Sequence, residues 1–410
     1  MGTEVQVWPE GLSEHAGRVR AQAAIEIPGR ERFVLWFDVP QAHAGLLGDT
    51  CDPFLLALFF TAMRRGVGMR VHGTVSPSLL RNLGDLQVVW NAWCPRHYTP
   101  VELAADAEEE PPWAAEPRGT VVGFSGGVDS SFTVWRHRTG RAVRRVRDIH
   151  AAMMVHGFDI PLEREEDFAG AAAKAKVMLD SVGLPLLTVA TNLRALRQRW
   201  PDSWAVSLVA CLALFQKAYS TALVADEFAA DWHGPTPSGP LTEGLMSCNA
   251  LRVLSDGALF TRTDKLRELA QWPEAMRHLR VCYAGERLDR NCGRCRKCTR
   301  TILAFRALGL PLPECFERDV TTRDILRLRR LPEESVYLTE QVLALARHTA
   351  PGAGWVRALG YAVLRSRLRL ARKAAFRELR RLASDAFALV RPRRASRRPA
   401  RDPGESSGES

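Results

Sequence analysis

The stretch Thr120-Val121-Val122-Gly123-Phe124-Ser125-Gly126-Gly127-Val128-Asp129-Ser130-Ser131 constrains this chain more than any other. It opens as an apolar, β-branched run, the pattern of a strand buried in a parallel sheet. That run passes straight into a Ser/Gly turn and then into a segment with helical character. Glycine lets the backbone approach a ligand closely, the turn amides point inward, and a helix N-terminus favours negative charge. A strand, turn and helix of this kind are expected to hold the phosphates of a nucleotide.

From Gly119 onward strands and helices alternate. A helix is expected over residues 130–137, a strand over 149–156, a helix over 163–182, a short strand over 186–190, a helix over 204–217 and a strand over 220–224. This rhythm predicts an α/β fold, a doubly wound parallel sheet covered on both faces. Ligands in such sheets bind beyond the carboxyl ends of the strands. The loops at 125–131, 156–159, 192–194 and 226–227 should therefore meet at one site. Residues 1–103 read as a small N-terminal α/β domain, with strands around 32–37 and 69–72 and an apolar helix after Pro53. The acidic, proline-bearing residues 104–118 read as a linker.

A second signal lies downstream. Cys282, Cys292, Cys295 and Cys298 form C-x9-C-x2-C-x2-C, with Gly293 inside the first knuckle. Two-residue spacers let sulfurs curl around one ion, and four thiolates close a tetrahedral shell that suits structural Zn2+. An iron–sulfur cluster uses similar spacing, and unmetallated thiols are the third alternative. A helix over 299–308 is expected behind the cluster. The other five cysteines, Cys51, Cys94, Cys211, Cys248 and Cys315, are scattered and read as buried packing residues. Cys248 alone sits where a sulfur-carrying role could be imagined.

Ser125-Gly126-Gly127-Val128-Asp129-Ser130 matches the SGGxDS signature of the N-type ATP pyrophosphatases, the PP-loop family. Thr263-Asp264-Lys265-Leu266, then Val281-Cys282-Tyr283-Ala284-Gly285-Glu286, then the remaining cysteines resemble 7-cyano-7-deazaguanine synthases in order and spacing. The resemblance covers residues 119–309, within a PP-loop domain bounded at 119–315. It implies a five-stranded parallel sheet of the adenine nucleotide alpha hydrolase-like type, gripping Mg-ATP. Ser125, Gly126, Gly127, Val128, Ser130 and Ser131 would bind phosphate, and Val155 and Phe158 would flank the adenine. Asp129 would hold Mg2+ or brace the loop, and Lys265 would offset triphosphate charge. The implied reaction is adenylation of a carboxylate or carbonyl oxygen, releasing AMP and pyrophosphate, then attack by ammonia to give an amide or nitrile. His156-Gly157-Phe158-Asp159 departs from the synthase pattern, which leaves the substrate open. A sulfur transferase of the same fold, acting on a small molecule or a tRNA base, and a non-catalytic scaffold are the alternatives.

Charge separates the body from the tail. The chain has 410 residues and a net charge of +11, but from Trp355 onward 15 Lys and Arg stand against 5 Asp and Glu. The body is thus close to neutral, which argues against a catalytic face that tracks nucleic acid. Residues 316–392 read as a helical extension. In it Leu364, Leu368, Ala371, Ala375, Leu379, Leu382, Ala386 and Leu389 recur at helical spacing among arginines. Such a helix can dock on the body, lie on an anionic membrane or bind nucleic acid. Residues 393–410 are Pro-, Ser- and Gly-rich and are expected to be disordered. The longest apolar run, 54–60, is too short to span a bilayer, and residues 1–6 show no leader pattern, so a cytoplasmic protein is expected. ATP, Mg2+ and Zn2+ are the expected cofactors. A small-molecule substrate and a homodimer partner complete the expectation.

Overall fold

The computed structural model describes residues 3–114 and 118–390. The segment expected to be disordered, 393–410, lies outside the described residues, as do residues 115–117 of the expected linker.

Strands β1 (Val5–His15), β2 (Arg18–Glu26) and β3 (Phe33–Pro40) form an antiparallel meander. Helix α1 (Asp52–Arg65) begins with Pro53 in its first turn and ends at Gly66, whose φ of 63° makes the left-handed cap. It is buried along nearly its whole length, so its apolar run covers the sheet rather than spanning anything. Strand β4 (Met69–Val75) lies parallel to β1, and helix α2 (Pro77–Trp93) leads to β5 (Leu103–Glu108), parallel to β4. The start of the acidic stretch is thus strand.

The second half follows the expected alternation closely. It runs β6 (Gly119–Gly123), α3 (Val128–Arg138), β7 (Ile149–His156), α4 (Glu165–Asp180), β8 (Leu186–Thr191), α5 (Trp200–Ala213) and β9 (Tyr219–Ala225). A further strand, β10 (Arg252–Asp256), pairs with β9 at the sheet edge. Then come α6 (Arg262–Leu269), α7 (Pro273–His278), α8 (Arg296–Ala307), α9 (Thr322–Leu326), α10 (Glu333–Thr349) and α11 (Gly354–Val390).

Among the described residues all ten strands belong to one mostly parallel sheet, in the order β10-β9-β6-β7-β8-β3-β2-β1-β4-β5. This corrects the expected five-stranded sheet. Strands β10, β9, β6, β7 and β8 are parallel and contiguous, but β8 does not end the sheet. Its free edge accepts β3 antiparallel, with Phe37 opposite Thr191 and Asp38 opposite Ala190. Side chains extend this short seam: the Trp36 amide donates to Asn192 Oδ1 at 3.0 Å, Asn192 Nδ2 to the Val34 carbonyl at 2.7 Å, and Thr191 Oγ1 to the Trp36 carbonyl at 2.7 Å. Pairing satisfies backbone groups that an open edge would leave exposed.

Two cores sandwich the sheet. On one face, residues of α1, α2 and α5 bury against strands from both halves, so Phe37, Phe54 and Leu55 share a cluster with Val189, Val209 and Val224. On the other face, α3, α4, α6, α8, α10 and the start of α11 cover the parallel half. Among the described residues no helix is long and apolar enough to cross a membrane.

Candidate functional site

The chain leaves β6 toward β7 and β8 on one side, then returns to place β9 and β10 on the other. The order therefore reverses between β6 and β9, where the carboxyl ends of parallel strands leave a crevice suited to a ligand. The Ser/Gly turn follows β6 at this point. Gly126 has a φ of 70°, a left-handed conformation that costs a non-glycine residue energy, and Gly127 caps α3 in extended geometry. The turn is knit internally. The Ser125 amide donates to Ser130 Oγ at 3.1 Å, and the two hydroxyls lie 3.2 Å apart. Val128 and Ser131 are wholly buried at the start of α3, and the Ser131 amide is spent on the Gly127 carbonyl.

Buried cations converge on this turn. Asp129, in the first turn of α3, receives Arg262 Nη1 at 2.7 Å and Lys265 Nζ at 3.0 Å, both from α6. Lys265 is 1% exposed and also donates to the Asp226 carbonyl just past β9, so it ties α3, β9 and α6 together. Burial alone would push the Asp129 carboxyl up, but Arg262 and Lys265 override it and hold the group below the ordinary carboxylate value. Arg280 approaches from the other side. Its amide donates to the Gly126 carbonyl at 2.8 Å, and its guanidinium reaches the Ser125 carbonyl at 3.3 Å. Arg300 of α8, 4% exposed, is pushed down to about 10, first by burial and then by repulsion from Arg262.

The acids nearby are otherwise engaged. Asp226 accepts from the Ser255 hydroxyl and the Ala258 amide, and burial pushes it up to about 6. Glu243 is completely buried; burial and the charge of Asp226 hold its carboxyl well above the ordinary value, and its Oε1 has no hydrogen-bond partner.

The remaining expected residues divide. Val155 and Phe158 lie at the carboxyl end of β7, beside the turn's own strand, but the Phe158 ring packs edge-on against Trp200, 4.8 Å away. Gly157, at φ 100°, presses the β7 loop against β8: a Cβ there would sit 2.1 Å from the Thr191 carbonyl oxygen. Asn192 serves the seam rather than the crevice. Cys248 donates to Gln216 Oε1 at 3.3 Å, and burial pushes its thiol up to about 12, which suits packing and not a nucleophile.

The four cysteines do come together. Their sulfurs all lie within 4.8 Å of one another, with Cys282–Cys295 at 3.6 Å and Cys292–Cys298 at 3.9 Å. A tetrahedral shell with metal–sulfur bonds of about 2.3 Å has edges of about 3.8 Å, so the cluster could hold a metal ion such as zinc. Gly293 turns the knuckle at φ 67°. Amides of Ala284, Cys295 and Cys298 point at sulfurs of the cluster, as suits negatively charged thiolates. The cluster is linked to the turn, because the Arg280 guanidinium that reaches Ser125 also reaches the Cys282 carbonyl at 3.5 Å.

Arg262, Arg280, Arg300 and Glu243 stand outside the motifs that the sequence offers. Arg262 had a usable signal, since it stands three residues before Lys265 and shares its helix face. For Arg280, Arg300 and Glu243 nothing local distinguishes them from ordinary surface charges.

Fold and site define an α/β protein with a glycine turn at its switch point, a surrounding set of buried cations and a cysteine cluster able to hold a metal ion. Compared with known protein families, with curated proteins and with solved structures, the chain matches none.

Proposed function

We propose that the chain is an ATP-dependent adenylating enzyme of the PP-loop type, activating a carboxylate or carbonyl oxygen for attack by ammonia and releasing AMP and pyrophosphate. One observation carries the reading. Arg262, Lys265, Arg280 and Arg300 are all at least nine-tenths buried around a glycine turn at a helix N-terminus, and Asp129 cannot balance them alone. Buried charge is costly unless it is matched, and a polyphosphate is an anion that would match it. A carboxylate oxygen leaves poorly until it is joined to the α-phosphate, and phosphate chemistry of this kind needs positioning and charge neutralisation more than a covalent catalyst.

In this reading the turn amides and Ser130 hold phosphate, Val155 and Phe158 flank the base, and Lys265 and Arg262 neutralise charge. Both Asp129 oxygens accept from cations, which suits a side chain that braces the loop, and Mg2+ would enter with the nucleotide. Cys282, Cys292, Cys295 and Cys298 would hold Zn2+, which would act as a structural clamp because no ligand position stays open. Sulfur transfer has no comparable support, given the environment of Cys248.

The test is incubation of the full-length protein with ATP, Mg2+, pooled carboxylates and ammonia. AMP and pyrophosphate should form together, and Lys265→Met should reduce AMP release by about 100-fold or more. Asp129→Ala would strip both buried cations of their acceptor; Asp129→Asn keeps one acceptor oxygen and is the milder variant, with folding checked by thermal melting. Formation of ADP in place of AMP would refute the adenylation reading. Elemental analysis showing iron, with a visible charge-transfer band, would refute zinc.

A further inference from the structure

The long helix α11 (Gly354–Val390) has two apolar faces, and only one of them is used by the fold. Val356, Leu359, Ala362, Val363 and Ser366 are buried, packing the start of the helix onto α9 and α10. On the opposite side Tyr361, Leu364 and Leu368 are 55, 56 and 53% exposed, and farther along Leu379 is 65% exposed, with Phe376, 59% exposed, at the flank. At 100° per residue, Tyr361, Leu364, Leu368, Ala371, Ala375 and Leu379 fall within a sector of about 80°. That sector points away from the body. Scattered surface leucines need no explanation, but a continuous stripe over several turns marks an interaction surface.

The charge pattern says what kind of surface it meets. Once the helix passes Leu370, the sector that faced the body is occupied by Lys373, Arg377 and Arg380, while the outer apolar stripe continues unchanged. Every residue from 371 to 380 is exposed, so the helix has left the body there. Across residues 354–380 it carries eight Arg and Lys against one acid. The Arg365 guanidinium lies 5.4 Å over the Tyr361 ring while donating to the Leu326 and Leu328 carbonyls, and Arg380 lies 5.3 Å over the Phe376 ring. Arginine that covers apolar surface while its head stays polar is suited to a boundary between hydrocarbon and anionic headgroups.

We propose that α11 lies on an anionic lipid surface, its outer stripe inserted and its basic residues on the headgroups, and that it carries the enzyme body with it. Two other occupants fit less well. A second copy of the helix would bring two strongly cationic surfaces together, and a nucleic acid would leave the apolar stripe uncovered. The residue contributions are favourable for lipid: each Lys or Arg near an acidic bilayer adds to the attraction.

The experiment is vesicle sedimentation of the full-length protein, with phosphatidylcholine alone and with phosphatidylcholine containing phosphatidylglycerol. The proposal expects at least about tenfold more protein with the anionic vesicles, weakened by salt. Leu364→Asp with Leu379→Asp should abolish sedimentation. Replacing Arg372, Lys373, Arg377 and Arg380 with Gln should reduce it by at least about tenfold. All six positions are exposed, so melting temperatures should match the parent protein. Equal sedimentation with both vesicle types would overturn the proposal, as would sedimentation unchanged in both variants. It would also fall if vesicles were not bound while light scattering showed a dimer lost with the leucines, or RNA were retained through the arginines.

Discussion

Gly126 and Gly157 both have positive φ, but their surroundings differ and so should the cost of filling them. At Gly126 an added Cβ would find only Arg280 Cβ, 3.9 Å away, so Gly126→Ala meets backbone strain alone, about 1–2 kcal/mol. At Gly157 the same atom would collide with the Thr191 carbonyl oxygen, and Gly157→Ala should cost about 2–4 kcal/mol by urea unfolding. Equal costs would show that the β7 loop is not pinned to β8. Asp226 gives a pH signature. Burial raises its carboxyl to about 6, above the ordinary value near 4. The native state therefore holds this proton more tightly than the unfolded chain. The associated stability is full below about pH 4 and is lost as pH rises to about 6. Asp226→Asn should flatten that part of the stability–pH curve by about 2–3 kcal/mol; a slope identical to the parent's would contradict it. Asp129 has the opposite sign. Its lowered carboxyl adds stability above the ordinary value that is lost as the pH falls through the native one.

At the scale of elements, the parallel half was legible because its buried strands are β-branched and its helices are separated by clear turns. Strand β7 occupies the expected residues, and α3, α4, β8 and β9 differ only at their ends. Strand β10 carries no clear strand signal because its sequence, Arg252-Val253-Leu254-Ser255-Asp256, is short and mixed, as suits an edge whose outer side is open. Strand β5 was hidden in acidic residues for the same reason. The cysteine cluster should behave as a clamp on α8 and on the turn, since Cys295 caps α8 and Arg280 joins Cys282 to Ser125. Metal removal by a chelator should lower the melting temperature by several degrees and restore it on adding Zn2+, because binding energy at such a site is folding energy. AMP release should fall in parallel. A chelated protein that melts as before would leave the cluster without a structural role.

For the whole molecule, the joined sheet and shared core predict one cooperative unit. Urea unfolding followed by tryptophan fluorescence and by circular dichroism should give coincident transitions. Two separated transitions would show that the seam between β3 and β8 is weak. Asn192→Ala removes two hydrogen bonds there and should destabilise the protein by about 1–3 kcal/mol.

Local sequence determined the strand–turn–helix at 119–138, the alternation after it, the cysteine knuckle and the periodic tail helix, because each is written in spacing over a few residues. Tertiary structure alone decided that β3 extends the sheet, that Arg262, Arg280 and Arg300 gather at the turn, and that the tail's apolar stripe faces outward. Those outcomes depend on burial and on contacts between residues far apart in the chain. A charged side chain reads the same in sequence whether it ends in solvent or beside Asp129.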